Sequence, residues 1–187
     1  MRIDVPYDQG HDPYGYASRT LAPDIMGAAA GFSQATYRHS QLSLREFEAA
    51  RARTAEINGC FICQNFRAAR DLPALLTGQG VDCAGTIAER GETPDEAFYA
   101  GVAEWRTSPL YSAREKLAIA FAERFAEEPK LLARDEGFWE QMRDAFTDAE
   151  IVDLAHCVAG WVGLGRVAHV LGFDTVCLPG VPVKDAA

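Results

Sequence analysis

The chain of 187 residues has no run of Lys or Arg; 18 basic residues face 27 acidic ones, giving a formal net charge of -9. That absence excludes partners recognised through a basic patch, both nucleic acids and anionic membranes. The first eighteen residues, MRIDVPYDQGHDPYGYAS, lack the basic start and apolar core of a secretory signal. No window approaches the ~18 apolar residues of a bilayer-spanning helix. A reducing cytoplasm is the expected location. No Pro/Ser-rich linker and no repeat divides the chain, so one domain is expected. Val, Ile and Thr do not alternate with polar residues over a strand-length run except at Val176–Val183, where Pro179 and Pro182 interrupt the pattern. The fold class is therefore expected to be all-α.

Cysteine is present in an odd number, five (Cys60, Cys63, Cys83, Cys157 and Cys177), which argues against a complete disulfide framework. In a reducing compartment these are thiols by default, and a Cys-x-x-Cys pair is then more plausibly catalytic or metal-binding than structural. Zinc needs two further ligands at workable spacing, and the chain offers no second Cys-x-x-Cys and no His-x3-His. No metal and no bound cofactor is expected. Cys83 and Cys157 read as small buried hydrophobes.

Four helix-start signatures are present: Ser43-Leu-Arg-Glu46, Thr93-Pro-Asp-Glu96, Ser112-Ala-Arg-Glu115 and Thr147-Asp-Ala-Glu150. In each the hydroxyl can cap the Glu amide while the Glu side chain reaches back to the cap amide. Leu117, Phe121 and Phe125 recur at helical spacing after 112. Ile151, Leu154, Ala155, Val158 and Val162 do so after 147, with Gly172 as the stop. Further helices are expected near 24–37, 43–57, 60–70 and 135–146. Residues 1–21 read as an irregular arm needing a neighbouring subunit or the core surface to lie against, 71–92 as loops with one or two short helices, and 176–187 as a tail.

Asn58-Gly59 tolerates left-handed backbone angles, so one helix can end there and another begin with Cys60 and Cys63 in its first turn. Free amides and the helix dipole at such a start favour thiolate, and cysteines three apart can close a disulfide. Glu48 lies on the preceding helix, where an antiparallel return brings its carboxylate towards the thiols as a proton relay. Most glutamates are solvated surface charges; only its spacing to the cysteine pair distinguishes Glu48 from Glu46 or Glu56.

Glu48-x11-Cys60-x2-Cys63, within LREFEAARARTAEINGCFICQNFRAAR, together with SPLYSAREKLAIAFAERF and FWEQMRDAFTDAEIVDLAHCVAGWVGLGRVAHVLGFD, resembles the carboxymuconolactone decarboxylase-like superfamily, and within it the alkyl hydroperoxidase D (AhpD) branch. The resemblance covers about residues 22–175. It implies an AhpD-like helical domain that assembles as a homotrimer or homohexamer and reduces hydrogen peroxide or small organic hydroperoxides in an antioxidant role. In that scheme Cys63 is the peroxidatic nucleophile, Cys60 resolves the sulfenic acid to a redox-active disulfide, and a lipoyl-bearing or thioredoxin-like dithiol reduces it. The family motif has histidines where this chain has Ile62 and Arg67. Arg67 can stabilise a thiolate but, with a pKa above about 12, cannot shuttle a proton. Proton delivery then falls to Glu48 through water or to a histidine from elsewhere, among His11, His39, His156 and His169. Two other functions are compatible with the resemblance: a carboxymuconolactone decarboxylase-like lactone-processing enzyme, which does not need the dithiol, and a non-enzymatic redox sensor. Gly163-Leu-Gly165-Arg-Val-Ala168 matches a dinucleotide fingerprint in letters only, because it falls inside a helix with no preceding strand; glycines there serve close helix packing.

Overall fold

The computed structural model describes residues 1–78, 80 and 82–175; the expectations for Val176–Val183, Cys177 and a 176–187 tail lie outside the described residues. Every regular element within them is helical: α1 (Pro13–Tyr16), α2 (Pro23–His39), α3 (Leu44–Asn58), α4 (Phe61–Asn65), α5 (Ala68–Gly78), α6 (Glu96–Ala100), α7 (Ala113–Glu127), α8 (Pro129–Leu132), α9 (Glu136–Ala145) and α10 (Asp148–Leu171), with short 3-10 and π turns between them. The expected all-α class is what the chain adopts.

Helix α3 lies at the centre, packed against α7 and α10, and α10 also packs on α2. Alanines at 49, 50, 52 and 55 make one-half of α3 narrow enough for this close approach, while Phe47, Phe121, Met142 and Leu154 fill the space beside it. Each large apolar side chain fully buried here contributes roughly 1.5–3 kcal/mol. Within α10, a Cβ on Gly160 would stand 3.2 Å from the Phe32 ring and one on Gly165 only 2.5 Å from Asn58. Of the two fingerprint glycines, Gly165 serves close packing as expected, whereas a Cβ on Gly163 would meet nothing within 4 Å.

Ser43, Ser112 and Thr147 form the reciprocal caps expected of them with Glu46, Glu115 and Glu150. Thr93 does not. Helix α6 starts three residues later, and the Asp95 carboxylate accepts the Phe98 amide at 2.8 Å. Aspartate caps as well as threonine, and starting there lets Phe98, Tyr99 and Val102 reach the second apolar cluster around Ile119.

The single helix expected over 60–70 is two helices, broken at Phe66, whose ψ is 140°. Arg51 takes the carbonyls of Cys63 and Phe66, and Asp71 takes the Arg67 amide at 2.8 Å. These backbone groups are thus satisfied without a continuous helix. Helix α5 then reaches into 71–92, where loops with one or two short helices are expected, carrying Pro73 inside it and burying Leu72 and Leu76. A second expectation is also corrected: by length and a mean hydropathy of 1.3, α10 is apolar enough to cross a bilayer. Its Leu154, Cys157 and Val158 are core residues, and Asp153 at its first turns accepts from Ser40 Oγ at 2.8 Å and the Gln41 amide at 2.6 Å.

The N-terminal arm lies on its own chain's core surface. The Arg2 amide donates to the Leu171 carbonyl at 3.0 Å, and the Tyr14 and Phe173 rings meet edge-on at 5.5 Å.

A carboxylate network joins α3 to α7. Arg53 and the Trp105 indole donate to Glu123, which also pairs with Arg106. Burial alone would raise the Glu123 carboxyl; hydrogen bonds from Arg106 and Trp105 and the charge of Arg53 overcome it and hold it below the ordinary carboxylate range. A carboxyl depressed in the folded state stabilises the fold above its unfolded pKa, about 4.3 for glutamate, and loses that contribution as pH falls through the folded value. The thermal midpoint should therefore fall from pH 6 to pH 3.5. Glu123→Gln should lower the pH 6 midpoint and make the acid-side decline shallower.

Candidate functional site

Gly59 ends α3 in the left-handed conformation, φ 68°, and the chain turns directly into α4. Cys60 is the cap residue of α4 and Cys63 its third residue; the Cys63 amide donates to Cys60 Sγ at 3.3 Å. The two sulfurs are joined in a disulfide with Cα atoms 5.3 Å apart. Cys60 is fully buried, whereas Cys63 is partly exposed. Because α4 has five residues, its dipole is short, and the local amide bond matters more than a macrodipole.

Both cysteines line a cavity of ≈ 370 Å³. Its walls are mainly apolar: Ala29 and Ala30 of α2, Phe66, Leu72 and Leu76 around α5, and Leu164 of α10. His11 and Tyr14 of the arm close one side, so the arm is a wall of the site and not only a surface strap. Asn58 Oδ1 and Trp161 Nε1, on two residues of the wall, are buried without a protein partner. The Tyr37 hydroxyl also belongs to the wall, and burial pushes it far above the ordinary phenol range, with Arg51 opposing that rise.

Besides Asp12 of the arm, the wall carries the charge of Arg51, a residue the sequence did not single out. Its Nη1 donates to the Cys63 carbonyl and its Nη2 to the Phe66 carbonyl, each at 2.7 Å. Burial alone would lower the guanidinium pKa, but the charge and hydrogen bonds of Glu48 more than offset it. Glu48 pairs with Arg51 through two bonds, Nε–Oε1 at 2.6 Å and Nη2–Oε2 at 3.0 Å. Its Oε2 also accepts the Tyr99 hydroxyl at 2.6 Å and the Ala68 amide at 3.4 Å. Glu48 is thus fully buried behind the site, where it ties α3 to the start of α5 and to Tyr99 near the end of α6, and Arg51 connects it to the cysteine helix. The one sequence signal for Arg51 is its position three residues after Glu48, on the same helical face.

Arg67 lies one turn beyond Cys63 with its guanidinium 3.8 Å over the Tyr99 ring and paired with Glu96 at 3.0 Å. It also donates to the Gln64 and Phe66 carbonyls. Arg67 therefore joins the cluster through Tyr99 and the end of α4.

The four histidines separate clearly. His39 and His156 are exposed, with His156 Nδ1 2.7 Å from the Val152 carbonyl. His11 is in the cavity wall. His169 lies over the turn before Cys60: a Cβ on Gly59 would stand 3.2 Å from its Nε2. Its Nδ1 is 2.9 Å from Asp174 Oδ2, the same oxygen that accepts the Phe61 amide at 3.0 Å. Cys157 is buried on the other side of α10, where burial and Asp153 push its thiol well up and keep it protonated. Cys83 is half-buried beside Thr86.

No family model and no curated protein matches the chain. Its fold is that of a crystallised Agrobacterium tumefaciens protein of unknown function, provisionally described as an antioxidant defence protein AhpD. The TM-score is 0.62 with 19% identity, over 90% of this chain and 97% of that one. At that identity the likeness establishes an AhpD-like all-α fold.

Proposed function

We propose that the chain is a thiol-dependent peroxidase and disulfide reductase that cycles Cys60 and Cys63 between dithiol and disulfide. The observation that carries this reading is the Cys60–Cys63 disulfide in the wall of a cavity, with one sulfur buried and the other partly exposed. In the oxidative half, the Cys63 thiolate attacks the peroxide, the O–O bond breaks, and the leaving oxygen takes a proton to give water or an alcohol. Cys63 is left as a sulfenic acid. The Cys60 thiol then forms the S–S bond, and the sulfenic oxygen departs as water with the thiol proton. In the reductive half, an external dithiol restores both thiols and becomes a disulfide itself.

The site residues enter this scheme in distinct ways. Only Cys63 is open to an incoming molecule, which suits it to be both the peroxidatic sulfur and the point of attack by the reductant. Arg51 supplies a fixed positive charge at the Cys63 carbonyl, Glu48 holds Arg51 in place, and Arg67 supports the thiolate from the end of α4. A mainly apolar cavity suits hydrogen peroxide or a small organic hydroperoxide. The reductant is a lipoyl-bearing or thioredoxin-like dithiol, the assembly a homotrimer or homohexamer, and the location a reducing cytoplasm.

The test is direct. Fully reduced protein treated with substoichiometric peroxide should form a Cys60–Cys63 bond, located by mass spectrometry, and a dithiol supply should sustain many turnovers. Oxidation that stops after one equivalent under ample dithiol identifies a sensor instead. Absence of the bond after peroxide treatment would sink the redox reading altogether.

A further inference from the structure

The motif histidines are absent, yet a histidine and a carboxylate stand beside the cysteine turn from the far end of the chain. Asp174 is 3% exposed and its Oδ2 accepts both the Phe61 amide at 3.0 Å and His169 Nδ1 at 2.9 Å. Phe61 directly follows Cys60, so the carboxylate is anchored one residue from the buried sulfur. The His169 ring covers Gly59, directly before Cys60, and its side chain is half-exposed to solvent. The two residues therefore bracket Cys60 from outside the cavity.

We propose that His169 and Asp174 form a charge-compensated pair that sets the leaving-group quality of the Cys60 sulfur. His169 is thus a positioning residue acting through Asp174 on the Cys60–Phe61 backbone. This rests on the dithiol–disulfide reading above. When a thiolate of the external dithiol attacks, a bond forms to Cys63 Sγ, the S–S bond breaks, and the electron pair goes to Cys60 Sγ. The second thiol of the reductant then displaces Cys63 from the mixed disulfide, leaving the reductant oxidised and both cysteines reduced. A negative Asp174 next to Cys60 opposes the charge that arrives there, and a protonated His169 cancels that opposition. The Cys63 amide, which already donates to Cys60 Sγ, supplies the fixed part of the stabilisation.

From the arm, the Met1 nitrogen approaches at Gly172 and the Arg2 backbone amide at Leu171, while His11 and Asp12 line the cavity with Ala168 and Phe173, the neighbours of the pair. On α10 itself, Arg166 is one turn back and directed to the Ala126 carbonyl. Helix α4 contributes Cys63 as its sole titratable side chain. Histidine is the side-chain type that ordinarily changes charge between pH 5 and 8, and His169 is the histidine in contact with Asp174.

The experiment is the opening of the disulfide by dithiothreitol in the full chain, followed by stopped flow from pH 5 to 8 and expressed per dithiothreitol thiolate. The wild-type constant should rise as pH falls. His169→Gln keeps a donor for Asp174 but not the charge; its constant should be flat with pH and about three- to tenfold lower at pH 5.5. Asp174→Asn removes the opposing charge, and its constant should be about three- to tenfold higher than wild type at pH 8. Opposite signs for the two variants are not expected from a merely structural role. A His169→Gln profile that follows the wild type overturns the inference, as do two variants that slow opening equally at every pH. The His169→Gln profile decides alone if Asp174→Asn does not fold. Should the wild-type disulfide open as expected while peroxide is never consumed, the peroxidase reading fails and the pair's role stands.

Discussion

Glu48→Ala should destabilise the fold by about 3–5 kcal/mol, because it strands a buried guanidinium without its counter-charge. Arg51 is 3% exposed and would lose the two bonds it makes to Glu48. The Tyr99 hydroxyl and the first amide of α5 lose their acceptor in the same step. For a chain of this size, a loss of that magnitude lowers the thermal midpoint by about 10 °C or more. Urea denaturation followed by far-UV circular dichroism measures it. A double variant, Glu48→Leu with Arg51→Met, should recover only part of the loss. It removes both charges but leaves the carbonyls of Cys63 and Phe66 without the donor that ends α4. A Glu48→Ala protein within about 1 kcal/mol of wild type would show that the ion pair is not the anchor described above.

Cys63→Ser should abolish peroxide turnover while leaving the helical fold in place. A serine hydroxyl at neutral pH is a far poorer nucleophile than a thiolate, so the dithiol-dependent rate should fall by about a thousandfold or more, to the uncatalysed background. Cys60→Ser should behave differently. It retains the attacking sulfur, so peroxide should oxidise it once, and a dimedone adduct on Cys63 should mark the trapped sulfenic acid. The stability changes separate these variants from Glu48→Ala. A disulfide closing so short a loop contributes at most about 2 kcal/mol by the chain-entropy argument, less than the loss expected at Glu48. Peroxide turnover of Cys63→Ser near the wild-type rate would assign the chemistry to another residue.

Much of the fold is legible in the sequence because its signals are local. Ser43, Ser112 and Thr147 each carry their partner glutamate three residues on, and all three boxes form. Gly59 and Gly172 end helices in the left-handed conformation for which glycine has no steric cost. Where the reading failed, a competitor lay close by or far away. Asp95 displaced Thr93 as a cap because both side chains can accept the same kind of amide, and burial of Phe98 and Tyr99 chose between them. The 60–70 helix broke because Arg51, on a different helix, drew off two of its carbonyls. No periodicity within 60–70 carries that information.

The same division runs through the site. The sequence by itself determined that two cysteines would share one helical start after a glycine turn, since four consecutive residues and their backbone preferences suffice for that. It also singled out Glu48 by spacing, and the all-helical class by the lack of any strand-length alternation. Only the tertiary structure decided what surrounds the pair. It buried Cys60 and left Cys63 partly open, turned Glu48 towards Arg51, and made His11 and Tyr14 a wall of the cavity. It also brought Asp174 to the Phe61 amide across a separation of 113 residues. The physical reason is range: a cap or a turn is decided by backbone atoms a few residues apart, whereas a buried charge takes whatever partner the packing of distant helices leaves within hydrogen-bond reach.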